Sequence, residues 1–301
     1  MKICLTRFNE DAWTQHIQYI FDQALKNQFK TEVIIGYPSN DKNYDLIIIC
    51  GIRGLIKDKV DLVKIKKQTR YIFDMADYIS DKRTSIEDIT FYFVKTDTRS
   101  EKFRFLPKPI YDNLLYPEHE INEPLTIFVD HFAATNDSEI ENSKKALQKI
   151  FDELDLCPFP IRVFYQHSSG IIENPKNPEF PIDTRKLDFK FLPFHQICKY
   201  YRKTHIFFPT HLESQGMLAQ EIALCGGITV MQSWMYPANT IDQFSKIIYK
   251  ANEKINWQAL KNFMTTEQIK KNRNLTLIHC NFEKFQNELN TIINNFIKNR
   301  L

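Results

Sequence analysis

Apolar positions in the first third of the chain fall in short unbroken runs, separated by stretches of helical period. KICLT (Lys2 to Thr6), TEVIIG (Thr31 to Gly36) and YDLIIICG (Tyr44 to Gly51) read as strands. LIIIC is apolar at every position and rich in β-branched residues, which suits a strand buried on both faces of a parallel sheet. AWTQHIQYIFDQAL and LIKDKVDLVKIKK carry helical spacing, and RYIFDM and ITFYFVK read as further strands. Strand–helix alternation of this kind predicts an open, doubly wound α/β lobe.

The rhythm breaks at FLPKPIYDNLLYPEHEINEP (Phe105 to Pro124), which holds four of the thirteen prolines. That stretch reads as a linker between two lobes. The pattern then restarts. LTIFVD, IRVFYQ, LDFKFLP and THIFFP read as strands, and SEIENSKKALQKIFDEL and FHQICKYYRK as helices. SSGIIENPKNPEFPIDTRK (Ser168 to Lys186) has no period and reads as an irregular insertion or loop. From about Leu277 a long amphipathic helix is expected, with Phe282, Phe285, Leu289, Ile292, Ile293, Phe296 and Ile297 on one stripe. The expected division is an N-terminal lobe over 1–118 and a C-terminal lobe over 119–301, with the terminal helix closing the fold.

Composition narrows the classes. A chain of 301 residues that is 43% hydrophobic and 26% charged has material for two ordinary cores, which excludes a disordered chain. The net charge of +3 is spread along the chain rather than gathered. KIKK (Lys64 to Lys67) and KKNR (Lys270 to Arg273) read as solvated helix faces, so a nucleic-acid partner is not expected. The six cysteines form no C-x-x-C pair and several sit in apolar runs, as small buried thiols of a reducing compartment do. No apolar run nears the roughly 18 residues needed to span a bilayer. A cytoplasmic protein is expected, with at most peripheral attachment to the inner face of an anionic membrane.

Only seven glycines occur, and three of them stand in THLESQGMLAQEIALCGGITVM (Thr210 to Met231). After the strand THIFFP, Ser214 suits an N-cap, with Gln215 and Gly216 in the first helical turn. Glycine lets a ligand approach the backbone, and free N–H groups of a first turn can hold a diphosphate. Gly226 or Gly227 suits the left-handed residue that ends the helix. Glu213 precedes the helix and Glu221 lies inside it. Carboxylates are poor phosphate ligands but good acceptors for paired hydroxyls, so a nucleotide-sugar fits this pair better than a bare nucleotide. A capped helix carrying two surface glutamates is the structural alternative.

The segment from Phe191 to Met231 resembles the donor-binding lobe of retaining glycosyltransferases of the GT-B fold, family 4. The family pattern P-[ST]-x-x-E-x-x-G-x-x-x-x-E-x-x-x-x-G is met by Pro209, Thr210, Glu213, Gly216, Glu221 and Gly226. The resemblance implies two Rossmann-like doubly wound lobes facing a cleft. It implies transfer of a hexose from a nucleoside-diphosphate sugar to a hydroxyl acceptor, such as a glycan or glycolipid, with retained anomeric configuration. By it, Glu221 binds donor ribose, Glu213 contacts the donor hexose near the reacting carbon, and Gly216 and Met217 offer N–H groups. No cofactor and no metal are implied, since Asp74-x-x-Asp77 is not a D-x-D signature.

Two departures matter. Family members often carry Gly-Arg after the first strand of this lobe, where the chain has Asp130 and His131, and a nearby Lys is absent until Lys144. His131 or the helix terminus is the candidate replacement for that charge; His211 in the motif loop is a candidate near the ligand, with a structural role as the default for it as for His195 and His205. On the acceptor side, Arg7, Asn9, Arg53 and Asp74 follow or end strands, and Asp77 is the candidate facing the reaction centre beside Glu213. The alternative function is a degenerate GT-B module that binds a sugar nucleotide, or assists a partner transferase, without catalysis.

Overall fold

The computed structural model of the chain describes residues 1–8, 12–52, 71–75, 92–94, 103–106, 108–110, 114–119, 124–130, 137–167, 170–176, 192, 194–211, 217–235 and 244–298. By internal contacts the chain divides into two units, one formed by Met1–Pro109 with Cys280–Leu301 and one by Ile110–His279.

The first unit runs β1 (Lys2–Arg7), α1 (Ala12–Leu25), β2 (Lys30–Ile35), β3 (Leu46–Ile52), β4 (Tyr71–Met75), β5 (Tyr92–Val94) and β6 (Phe103–Phe105). All pair in parallel, in the order β2-β1-β3-β4-β5-β6. Ile47, Ile48, Ile49 and Cys50 of β3 are all buried. This is the outcome expected for an unbroken apolar run covered on both faces. Ile17, Ile20, Phe21 and Ala24 of α1 supply one helical stripe to that core.

The second unit contains β7 (Leu125–Val129), α2 (Asp137–Asp155), β8 (Ile161–His167), β9 (Gly170–Glu173), α3 (Phe194–Tyr201), β10 (Ile206–Phe208), α4 (Met217–Leu224), β11 (Ile228–Gln232), β12 (Lys246–Tyr249), α5 (Trp257–Phe263) and α6 (Thr266–His279). Its sheet order is β12-β11-β10-β7-β8-β9. The chain therefore starts in the middle at β7, steps outward to β8 and β9, then crosses back to β10 and steps out the other way. Ile127, Val129, Ile206, Phe208, Ile228 and Val230 pack on one face with Leu147, Ile150 and Phe151 of α2 and with Trp257. On the alternate register Phe128 meets Tyr201 of α3 edge-on at 5.2 Å and Phe207 at 6.2 Å. Period-two alternation thus supplies two cores from one set of strands.

Three expectations change here. The division falls between Pro109 and Ile110 rather than after residue 118. The reason is that two arginines of the second unit hold the segment before β7. Arg202 lies over the Tyr116 ring at 4.7 Å, with its Nε 3.0 Å from Glu118 Oε1. Arg273 donates to the Leu115 carbonyl. Second, Gly170–Glu173, read as irregular, forms an antiparallel hairpin with β8. Asn174, at φ 47°, closes it by accepting the Val163 N–H through Oδ1 at 2.8 Å. Third, the terminal helix α7 (Phe282–Lys298) carries the whole expected stripe but starts at Phe282 rather than near Leu277, because α6 runs on to His279. The Asn281 side chain accepts from Glu283 N at 2.7 Å and Lys284 N at 3.1 Å, a side-chain N-cap that starts the helix. α7 belongs to the first unit, where Phe285 meets Phe21 edge-on at 5.6 Å and Leu289 and Ile293 are fully buried.

Candidate functional site

In an open α/β sheet the place for a ligand is outside the carboxyl ends of the strands, where the strand order reverses. In the second unit that point lies between β7 and β10, which pair in parallel with Phe207 against Phe128 and Phe208 against Val129. The register sets the two residues that leave these strands side by side, and the Asp130 N–H donates to the Phe208 carbonyl at 3.0 Å. Asp130 is 1% exposed and Thr210 fully buried. His211 Nδ1 lies 3.3 Å from Asp130 Oδ2, and the imidazole retains partial exposure. A carboxylate buried to this degree costs several kcal/mol unless a cation or donors face it. The switch point thus carries a buried carboxylate with an imidazole beside it.

Tyr201 closes the same region from α3. It is 4% exposed, and burial first, then the charges of Glu221 and Asp130, hold its phenol well above the ordinary range. It is thus an O–H group, not a phenolate, at neutral pH. Glu221 is half-buried on α4, and its charge also raises the thiols of Cys198 and Cys225, though less than burial does. Asp130 after β7 and His211 after β10 stand together, and the charges of Asp130 and of Glu221 on α4 reach Tyr201 on α3.

The exit from α4 explains two of the glycines. Gly226 adopts φ +88°, the left-handed conformation of a helix C-terminus, with Gly226 N donating to Ala223 O and Gly227 N to Ile222 O. A Cβ at Gly226 would stand 2.4 Å from Ile269 Cγ2, and one at Gly227 would stand 2.9 Å from the Thr204 carbonyl. Asn272 of α6, fully buried, donates Nδ2 to the carbonyls of Gly226 at 2.9 Å and Gly227 at 3.2 Å. Both glycines are demanded by close packing as well as by conformation.

Of the residues singled out from sequence, Glu213, Ser214, Gln215, Gly216, His131, Asn9, Arg53 and Asp77 lie outside the described residues. Met217, at the start of α4, is 8% exposed. Asp74 lies within β4. Arg7 stands at the end of β1, as expected; it is 9% exposed, and its Nε donates to Gln18 Oε1 at 2.9 Å. Gln18 in turn donates to the carbonyls of Leu5 and Ile34. His205 is 1% exposed and accepts the Thr126 N–H at Nδ1. Asp130 and Tyr201 were not among the candidates. A charged residue directly after the strand run LTIFV was the available signal for Asp130; Tyr201 had none, since it reads as a core aromatic.

A separate recess of about 440 Å³ lies along α3, lined by Phe164, Glu173, His195, Lys199 and Lys203 among others, away from the switch point. No group of three or more metal-ligating side chains occurs among the described residues. None of the described helices is long and apolar enough to cross a membrane.

Two Rossmann-type parallel sheets in succession, with the last helix returning to the first, define the GT-B fold. No family model matches the chain, and no curated protein sequence matches it significantly. Solved structures do, over nearly the whole length. Sucrose-phosphate synthase from Thermosynechococcus elongatus aligns with a TM-score of 0.61 at 9% identity, covering 99% of each chain. Anabaena HepE in complex with UDP aligns at 0.60 and 11% identity, covering 98% of this chain and 100% of that one. AviGT4, a glycosyltransferase of avilamycin A biosynthesis, aligns at 0.58 and 9% identity, covering 99% and 98%. At such identities the likeness is one of fold.

Proposed function

We propose that the chain is a glycosyltransferase that moves a hexose from a nucleoside-diphosphate sugar to a hydroxyl acceptor with retention of configuration. The observation that carries this reading is the Asp130–His211 pair at the switch point of the second unit, with the charges of Asp130 and Glu221 acting on Tyr201; the E-x7-E pattern of the sequence supports it. The fold likeness to a UDP complex and to a glycosyltransferase supports it.

In this reading Glu221 accepts the ribose hydroxyls and Glu213 a hexose hydroxyl near the anomeric carbon. Ser214, Gln215, Gly216 and Met217 are assigned to the donor diphosphate and sugar, with His131 and His211 beside them. Cationic and N–H groups aimed at the leaving diphosphate lower the barrier as its bond to the sugar breaks. Asp77 is assigned beside Glu213 at the reacting centre. Arg7, Asn9, Arg53 and Asp74 are assigned to the acceptor, in a glycan, glycolipid or other hydroxyl compound. Neither glutamate is assigned as a covalent nucleophile, and no metal is required.

Thermal shift with UDP, GDP, ADP and CMP and their common sugars, with and without divalent metal, tests the reading on wild type and Glu221→Ala. Stabilisation by one nucleotide, lost in the variant, is expected. Slow donor hydrolysis followed by proton NMR is expected from wild type, releasing a sugar of the donor's anomeric configuration. Binding without any turnover indicates the non-catalytic module instead, and no binding by wild type sinks the donor site.

A further inference from the structure

We propose that Asp130 is a positioning residue that holds the His211 imidazole between two anions, its own carboxylate and a phosphate of the ligand. This deepens the nucleotide-sugar reading and rests on it. Asp130 cannot be a phosphate ligand, because a buried carboxylate repels a phosphate. It can act only through a group that stands between the two. His211 Nδ1 is that group's near side, 3.3 Å from Oδ2, and ring geometry puts Nε2 on the opposite side. Facing a carboxylate and a phosphate at once requires N–H on both ring nitrogens, so the bound state holds an imidazolium.

The location adds weight. Asp130 leaves β7 and His211 follows β10, the two neighbouring strands at which the chain order reverses. Among the described residues, the groups whose charges bear on Tyr201 of α3 beside this pair are Glu221 on α4, Asp130, Cys198 and Cys225, all of them acids. The family's Arg and Lys are missing where Asp130 and His131 stand. A cation held from behind by a buried carboxylate fills the role of those side chains with different residues.

The test uses the full chain, with wild type, Asp130→Asn, His211→Gln and the double variant. Affinity is measured by calorimetry for whichever of UDP, GDP and ADP wild type binds, and for the matching nucleoside. We expect each single variant to weaken the diphosphate about tenfold and the nucleoside less than twofold. The double variant is expected to be no weaker than His211→Gln alone. Equal losses for diphosphate and nucleoside would mark a merely structural role and overturn the proposal, as would additive losses of about a hundredfold. Nitrogen-15 spectra of the His211 ring without ligand give an independent reading. Asp130→Asn is expected to move the Nδ1 signal, and an unmoved signal overturns the pairing whether or not any nucleotide binds. If that signal moves but wild type binds none of the three diphosphates, the nucleotide reading falls and the proposed ligand role with it.

Discussion

The two adjacent glycines that end α4 offer a test in which conformation and packing separate. At Gly226 an alanine meets both costs. Holding an L-residue in the left-handed region costs about 1–2 kcal/mol, and forcing a methyl against a packed neighbour costs about 1–3 kcal/mol. The methyl would lie 2.4 Å from Ile269 Cγ2 and 3.3 Å from its Cβ, so the Ile269 side chain must move and its Cβ give by a few tenths of an ångström. Gly170 isolates the first cost, with φ +127° and nothing within 4 Å of an added Cβ. Gly227 isolates the second, since its backbone is not left-handed and a Cβ would stand 2.5 Å from Ile222 Cγ2 and 2.9 Å from a backbone oxygen.

All three positions lie in the second unit, where Trp257, 4% exposed, reports unfolding through its fluorescence. Gly226→Ala is expected to lose about 3 kcal/mol, which for a unit of this size lowers the melting temperature by about 6–12 °C. Gly170→Ala and Gly227→Ala are each expected to lose less, about 1–2 kcal/mol. The reasoning fails if Gly226→Ala proves no costlier than Gly170→Ala, because the packing cost would then be absent.

Two further outcomes follow from buried titratable groups. Burial pushes the thiols of Cys4, Cys198 and Cys280 up to about 12 and that of Cys225 well above its ordinary value, whereas Cys157 is half-exposed and raised less. Native alkylation at pH 8 should therefore modify Cys157 first, with the other four reacting only on unfolding; rapid labelling of Cys198 or Cys225 would contradict their burial. Burial lowers the His16 imidazole on α1 to about 4. Below pH 6.5 the unfolded chain takes up a proton that the folded unit refuses until about pH 4, so stability is full above 6.5 and declines through that window. His16→Gln should flatten the decline in urea titrations between pH 7 and 4, and an unchanged slope refutes the assignment.

The parts of the fold that the sequence made legible are those where local pattern and tertiary burial agree. LIIIC has no polar position and LTIFV only a threonine, itself a β-branched strand former, so they suit strands covered on both faces, and β3 and β7 are such strands. The elements that were misread depend on single polar side chains with distant or local partners. Asn174 turns an apparently irregular segment into the end of a hairpin, and Asn281 caps the terminal helix just before its apolar stripe, so that helix starts later than the pattern suggests. The unit boundary moved because Arg202 and Arg273, far along the chain, satisfy carbonyls and a carboxylate before β7. Periodicity carries no trace of such pairings.

The candidate site divides along the same line. Gly226, Glu221 and the strand–helix–strand setting were legible because one continuous segment contains them. Asp130 and Tyr201 were not, because parallel pairing of β7 with β10 and the packing of α3 on that sheet bring them to the motif. In sequence, Asp130 reads as the loss of a cation beside the expected phosphate position. In the fold it stands 3.3 Å from a histidine of the motif loop. A carboxylate at that point weakens anion binding when it stands alone and strengthens it when an imidazole intervenes, so the same residue argues in opposite directions at the two levels. The sign is decided by the register of two strands, which is why the electrostatics of such a site must be read from the assembled sheet rather than from the presence or absence of Arg and Lys in the motif.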